Sequence, residues 1–140
     1  MGGVIATDGF VLFLHTEFRN VFSGLKDYKF FCFNGKPELM YIANDKSEYA
    51  TTDFFDIDFN HLDIHMKDPN ALIIPEKPQR FEEMKRIAAI LSENIPAVRI
   101  DFYETSNGLY FGEYTFYHSA GFSEVCPYDW NCRMGDWIKL

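Results

Sequence analysis

The sequence has no long apolar segment. Residues 10–14 (FVLFL) form an apolar run, but a transmembrane helix needs about 20 such residues. No Lys or Arg precedes the run, so the basic start of a secretory signal peptide is missing as well. We therefore expect a cytoplasmic protein with no membrane span.

Basic residues are few. The chain has 13 Lys and Arg against 21 Asp and Glu, which gives a formal net charge of -8. Nucleic-acid binding depends on clustered Lys and Arg that neutralise phosphates, so we expect no nucleic acid as a partner. A nucleotide stays open as a ligand, because it requires only a few local cations and a metal ion.

Cysteine is also scarce. The three cysteines cannot all pair, and none has the CxxC spacing of a zinc site: Cys32, Cys126 and Cys132. This argues against a secreted disulfide framework and predicts reduced, mostly buried thiols.

Aromatic residues, by contrast, are abundant. The 140 residues include fifteen Phe and eight Tyr, and 47% of the chain is hydrophobic. This composition excludes a disordered chain and is typical of a β-rich core with large side chains. The length predicts a single domain with one modest core.

A β-hairpin is predicted early in the chain. Residues 28–33 (YKFFCF) have the composition of a strand, and Asn34-Gly35 directly after them favours a type I′ turn. Residues 36–42 are then the partner strand. Pro37 indicates that this partner strand starts at a sheet edge.

Residues 43–77 are rich in Asp, Asn, His and Pro, and they predict a long loop with one short element. His61 and His65, four apart, would share a helical face as a metal pair, but no third ligand is evident. We therefore interpret them as a solvated or core pair. Four aspartates form a negative run that is typical of a solvated loop: Asp53, Asp56, Asp58 and Asp63.

A helix follows Pro78. Its apolar residues recur at helical spacing and form one stripe: Phe81, Met84, Ile87, Ala88 and Leu91. Asn94 and Pro96 end the helix. Two strands, residues 97–105 and 109–116, come next, so the pattern predicts an α+β fold with an antiparallel sheet and packed helices.

The hairpin between these two strands carries the candidate chemistry. With a three-residue loop at 106–108, Asp101 lies directly across from Glu113 and Arg99 across from Thr115. Two adjacent carboxylates repel one another, and Mg²⁺ is a natural neutraliser that also binds phosphates. Two alternatives remain open: Arg99 could pair with both carboxylates, and a two-residue loop would move Glu113 to the other face.

At these residues the sequence resembles the TupA-like ATP-grasp family, which is linked to teichuronopeptide and surface-polysaccharide synthesis. Four blocks carry the resemblance: DYKFFCFNGKPELMYI at 27–42, EMKRIAAILS at 83–92, VRIDFYETSNGLYFGEYTFYHSAGF at 98–122 and GDWIKL at 135–140. The third block is the most specific. The resemblance implies the C-terminal lobe of the ATP-grasp fold over residues 25–140, with residues 1–24 unassigned and a candidate remnant of the first lobe.

The resemblance also implies roles for individual residues. Asp101 and Glu113 match the carboxylates that hold magnesium, and Thr115 matches a further metal ligand. Arg99 matches an arginine that contacts the transferred phosphate or the acyl-phosphate, and Lys29 a cation near the nucleotide phosphates. Three more residues match weaker contacts with the adenine or with the carboxylate substrate: Glu17, Ser119 and Gly121.

The implied activity is ATP- and Mg²⁺-dependent activation of a small carboxylate or saccharide substrate through an acyl-phosphate. ATP-grasp enzymes hold ATP between two lobes, and residues 1–24 are too few for the first one. A protein partner or a second copy could complete the site. The alternatives are a non-catalytic module that requires a partner lobe, and a glycosyltransferase-type protein of polysaccharide synthesis.

Overall fold

The computed structural model describes residues 4–7 and 10–13 as backbone, and residues 26–44, 49–116 and 124–140 with side chains. Within these ranges, eight strands form one sheet and a helix packs on each of its faces. The elements are β1 (Val4–Thr7), β2 (Phe10–Phe13), β3 (Asp27–Phe33), β4 (Lys36–Asn44), β5 (Thr51–Asp56), β6 (His61–Leu62), α1 (Phe81–Leu91), β7 (Val98–Thr105), β8 (Gly108–Thr115) and α2 (Tyr128–Asp136).

The strand order in the sheet is β1-β2-β8-β7-β3-β4-β5-β6. Strands β3 to β8 pair antiparallel among themselves, and β1 pairs antiparallel with β2. β2 runs parallel to β8. The predicted α+β class is confirmed, and the parallel pair is the exception to the predicted antiparallel sheet. β1 and β2 belong to the segment predicted as unassigned, and both join this sheet; the domain boundary after residue 24 stays a prediction.

The central strands are buried on both faces. In β3, Tyr28, Phe30 and Cys32 pack on the α1 side, whereas Phe31 and Phe33 pack on the α2 side. Successive side chains of a strand point to opposite faces, so the unbroken aromatic run of β3 supplies two cores at once.

Helix α1 confirms the predicted stripe. Phe81, Met84, Ile87 and Ala88 are buried against the sheet. No side chain caps the start of α1; instead, the backbone N–H of Arg80 donates to the Glu104 carboxylate of β7 at 2.6 Å. This bond satisfies one of the N–H groups that a helix start leaves without a partner, and it ties α1 to the β7–β8 hairpin.

The first hairpin is as predicted. Asn34 and Gly35 have φ angles of 50° and 80°, which are the left-handed values that a type I′ turn requires. Pro37 pairs with β3, while the pairing of β4 with β5 begins only at Leu39. Pro37 therefore lies where β4 has no outer partner strand among the described residues.

The prediction of one short element within residues 43–77 was wrong. The structure has a six-residue strand there, β5, as well as the short β6. Asp53 of β5 is fully buried and accepts hydrogen bonds from the backbone N–H of Ala71, so it is not part of a solvated loop. The aspartates on either side of Phe54 and Phe55 interrupt the apolar pattern that identifies a strand. Their structural hydrogen bonds cannot be deduced from composition.

The two histidines of this region do not form a pair. His61 lies on β6 and contacts Asp53 at 3.1 Å, whereas His65 contacts Asp63 at 2.8 Å. The shared helical face is absent because the segment is extended. The prediction of mostly buried thiols was also wrong: Cys32 is buried, but Cys126 and Cys132 are exposed, although all three are free.

The β7–β8 hairpin has a shorter loop than predicted but keeps the predicted cross-strand pairs. Thr105 pairs with Gly108, so the loop has two residues, Ser106 and Asn107. The register then shifts between Phe102 and Asp101, and Gly112 is left without a cross-strand partner. This β-bulge adds one residue to β8. It restores the pairing of Asp101 with Glu113 that a two-residue loop alone would have lost.

We expect Gly112→Ala to destabilise the protein. An added Cβ would lie 2.9 Å from Cε2 of Tyr103 and 3.2 Å from the Asp101 carbonyl oxygen, so the ring and the bulge would have to move. The expected loss is about 1–2 kcal/mol in the free energy of unfolding, measured by urea denaturation.

Gly135→Ala is the matched control for this substitution. Gly135 lies in α2, and a Cβ there meets nothing within 4 Å. It should leave stability unchanged or raise it by up to about 1 kcal/mol, since Ala favours helix over Gly. Equal effects of the two substitutions would contradict the close packing at the bulge.

Candidate functional site

One row of side chains crosses five adjacent strands on the α2 side of the sheet. Lys29 of β3 pairs with Tyr41 of β4 and with Asp101 of β7. Tyr41 pairs in turn with Phe54 of β5, and Asp101 with Glu113 of β8. The row therefore changes from aromatic on β5 and β4 to charged on β3, β7 and β8.

Arg99 joins this row from the neighbouring position on β7. Its Nε donates to Asp101 Oδ1 at 2.8 Å and its Nη2 to Asp101 Oδ2 at 2.9 Å. Nη2 also lies 3.3 Å from Glu113 Oε1 and 3.1 Å from Thr115 Oγ1, and Nη1 lies 3.3 Å from the Tyr41 hydroxyl. One guanidinium thus holds side chains from β4, β7 and β8 in fixed relative positions.

Lys29 completes the cluster from β3. Its Nζ lies 2.6 Å from Asp101 Oδ2 and 3.4 Å from Asp27 Oδ2. The Lys29 side chain is 12% exposed and that of Asp101 only 2%. Because a charged hydrogen bond is stronger in such a water-poor setting, Lys29 and Arg99 together keep Asp101 ionised.

The pKa values agree with this geometry. Burial acts to raise the pKa of the Asp101 carboxyl, but the hydrogen bonds from Arg99 and the charge of Lys29 outweigh burial and hold that pKa below its ordinary value. Burial likewise acts to lower the pKa of Arg99, but Asp101 raises it above its ordinary value. Both groups stay charged at neutral pH.

A family model described as TupA-like ATPgrasp matches residues 13–139. The chain belongs to the TupA-like ATP-grasp family. Comparison with curated proteins and with solved structures found no match. The assignment of the sheet to the ATP-grasp fold therefore depends on the family match.

The structure brings together five of the predicted site residues of this TupA-like ATP-grasp chain. The predicted cross-strand pairs, Asp101 with Glu113 and Arg99 with Thr115, are confirmed. Arg99 also contacts both carboxylates, as the alternative interpretation of the hairpin required. The roles of these residues in binding metal or phosphate stay predictions. Glu17, Ser119 and Gly121 lie outside the described residues.

Two residues at the site were not predicted from the sequence. Tyr41 contacts Arg99, and Asp27 lies beside Lys29. Tyr41 lies on the same face as Lys29 because a second bulge, at Glu38, shifts the register of β4 against β3 by one residue. Alternation along β4 without this bulge would not have placed Tyr41 opposite Lys29. Asp27 is two residues before Lys29 and so shares its face of the strand. The sequence alone could therefore have predicted that Asp27 lies beside Lys29.

The donor set fits a magnesium ion, which binds oxygen ligands and usually takes one or two carboxylates plus substrate phosphates. Glu113 is the more accessible carboxylate, since its side chain is 37% exposed. Asp101 Oδ1 accepts one described hydrogen bond, and a carboxylate oxygen can accept two. Within the described part of the chain, no group of three His, Cys, Asp or Glu residues lies close enough together to hold a metal by itself.

No helix among the described residues has the length and apolar character needed to cross a membrane. The helices α1 and α2 have 11 and 9 residues, whereas a span needs about 20.

We expect Asp101 to stabilise the fold at neutral pH and to lose this effect on acidification. Because its pKa is lower in the folded than in the unfolded chain, the unfolded chain takes up the proton first as the pH falls. Asp101→Asn should lower the free energy of unfolding at pH 7 by on the order of 3 kcal/mol, since Arg99 and Lys29 both lose the charge of the carboxylate that they share. The difference from wild type should shrink below about pH 4, as measured by urea unfolding across pH.

Asp58→Asn serves as the control, because Asp58 is exposed in a turn. Its effect should be within about 0.5 kcal/mol. If the difference between wild type and Asp101→Asn stayed constant down to acid unfolding, Asp101 would not be the ionised centre of this cluster.

Proposed function

We propose that this domain binds ATP with Mg²⁺ on the sheet face that carries Lys29, Arg99, Asp101 and Glu113. We further propose that it serves as the metal- and phosphate-binding part of a ligase that activates a carboxylate in cell-surface polysaccharide synthesis. The observation that supports this most is the charged row itself: two cations and two carboxylates from three adjacent strands meet on one face of the sheet. Family membership supports ATP as the nucleotide.

In the proposed site, Glu113 and Asp101 would hold the metal, with Thr115 as a further oxygen ligand. When bound, Mg²⁺ offsets negative charge on the phosphates and supplies Lewis-acid stabilisation of the transferring group. Arg99 is held by Asp101 and therefore presents its guanidinium in one orientation, which suits the planar recognition of phosphate oxygens. Lys29 adds a compact positive charge beside Asp101.

The proposed reaction is phosphoryl transfer. An oxygen of the substrate carboxylate forms a bond to the γ-phosphorus of ATP, the bond from that phosphorus to the bridging oxygen breaks, and ADP leaves. The acyl-phosphate product then loses phosphate when an amine or another nucleophile attacks its carbonyl carbon. Positioning and charge stabilisation carry most of such a reaction, so the chain need not supply a covalent nucleophile.

Other contacts of the proposed site depend on the family resemblance alone. Ser119 and Gly121 would contribute backbone N–H groups to the binding of the substrate carboxylate, and Glu17 would contact the adenine. A second lobe, from a protein partner or another copy, would cover the nucleotide from the side opposite the sheet. These assignments extend the proposal beyond the described residues.

Isothermal titration with a non-hydrolysable ATP analogue and Mg²⁺ tests the proposal. Glu113→Gln keeps the shape of the side chain but removes one metal-binding charge, and Asp101→Asn does the same at the buried position. Each should weaken nucleotide binding at least about tenfold, because hydrogen-bonded charges in a poorly hydrated site contribute on the order of 2 kcal/mol or more.

Glu82→Gln is the matched control, since Glu82 lies on α1 and is 72% exposed. It should bind the analogue as the wild type does, while near-ultraviolet circular dichroism confirms that each variant is folded. Negligible binding by the wild type and both site variants alike would exclude a nucleotide site in this chain acting alone.

Removal of magnesium gives an independent prediction. Chelation of Mg²⁺ should weaken analogue binding to the wild type by at least about tenfold, since phosphate charges then face Glu113 and Asp101 directly. The dependence on magnesium should be smaller in Glu113→Gln, which has lost part of that repulsion. Equal magnesium dependence in the two proteins would argue against Glu113 as a metal ligand.

A further inference from the structure

A cleft of about 190 Å³ lies next to the charged row, between β3, β7, β8 and the C-terminal end of α2. Most of its lining is apolar and includes Phe31, Phe33, Phe116, Met134 and Ile138. We call this space the α2 cleft. Its position matters because two residues of the candidate functional site also line it, Arg99 and Thr115.

The polar end of the α2 cleft presents hydrogen-bond donors. Arg99 is the charged residue in the described lining, and its guanidinium is shared with Asp101 and Glu113. Arg99 Nη2 donates to Thr115 Oγ1 at 3.1 Å. A hydroxyl that accepts one hydrogen bond still has its own proton to donate, so Thr115 can donate to an oxygen of a ligand.

The rest of the α2 cleft favours a compact apolar group. A dry engineered cavity of about 150 Å³ with aliphatic and aromatic walls binds benzene, and the α2 cleft is of similar size. A polar ligand body such as a sugar ring would leave its hydroxyl groups without partners against Phe31, Phe33 and Ile138, which is unfavourable. The apolar walls and the hydrogen-bond donors therefore point to a ligand with acceptor oxygens, such as those of a carboxylate, at one end and an apolar body at the other.

We propose that the α2 cleft binds the apolar body of a small monocarboxylate, with the carboxylate at Thr115 and Arg99. This inference depends on the proposed function, because it names the class of carboxylate that the same site would activate. A phenyl ring or a branched aliphatic chain has the appropriate size. The carboxylate would then lie beside Arg99, which also contacts both proposed metal ligands.

Titrations of the wild-type chain with three small molecules distinguish the contributions of the carboxylate and of the apolar body to binding. Phenylacetate has both parts, acetate lacks the apolar body, and phenylacetamide lacks the charge. Phenylacetate should bind at least about tenfold more tightly than acetate, as expected for burial of a phenyl-sized apolar group. It should also bind more tightly than phenylacetamide. Equal affinity for phenylacetate and acetate would overturn the inference.

Two substitutions test the location. Gly135 lines the cleft and has no atom within 4 Å of an added Cβ, so Gly135→Leu should fill the space and weaken phenylacetate binding at least about tenfold. Thr115→Val keeps the shape but removes the hydroxyl. It should weaken phenylacetate binding about three- to tenfold and leave phenylacetamide binding nearly unchanged. Unchanged phenylacetate binding by Gly135→Leu would overturn the assignment.

A measurement on the wild type keeps the test decisive if a variant fails to fold. Nuclear Overhauser contacts between the phenylacetate ring protons and the Met134 methyl group are expected, because Met134 lines the cleft. Ring contacts only to methyl groups outside the described lining of the cleft would overturn the inference. ATP-analogue binding without phenylacetate binding would reject this inference alone. Phenylacetate binding without ATP-analogue binding would reject the proposed nucleotide site but leave the ligand assignment of the α2 cleft in place.

Discussion

The buried carboxylate of Asp101 is the constraint on which the site depends. An ionised carboxylate that is 2% exposed is costly unless cations and hydrogen bonds surround it. Arg99 and Lys29 meet that requirement, and they come from different strands, so β7 and β3 must be neighbours with their charged side chains on one face. Arg99 then extends the same network to Tyr41 on β4 and to Thr115 on β8.

Stability alone does not require this buried network of ion pairs. Well-packed apolar residues often stabilise a buried position as well as an ion pair does, and the rest of this sheet is filled with aromatic and aliphatic side chains. The two faces of the sheet differ accordingly. The α1 face is closed by apolar packing, whereas the α2 face combines an apolar part with the charged row. The proposed role in binding phosphate and metal would explain the presence of charge there.

Two β-bulges position the charged row. Glu38 on β4 and Gly112 on β8 are each left without a cross-strand partner, and each shifts the register by one residue. The first places Tyr41 opposite Lys29, and the second places Glu113 opposite Asp101. A shift of one residue moves a side chain to the other face of a sheet, so both bulges are necessary for the cluster. At Gly112, the close approach of Tyr103 and Asp101 explains why glycine is present.

Local features of the sequence determined a large part of this protein. The apolar stripe of α1, the Asn34-Gly35 turn and the strands that contain Lys29 and Asp101 follow from short-range preferences, and family membership follows from motifs that persist along most of the chain. The tertiary structure decided the rest. Strand order brought Lys29 beside Asp101, burial turned Asp53 into a structural group, and a bulge kept Glu113 opposite Asp101 despite a loop one residue shorter than predicted. Strand order and the positions of bulges depend on twist and on packing between distant segments, which a local sequence pattern does not determine.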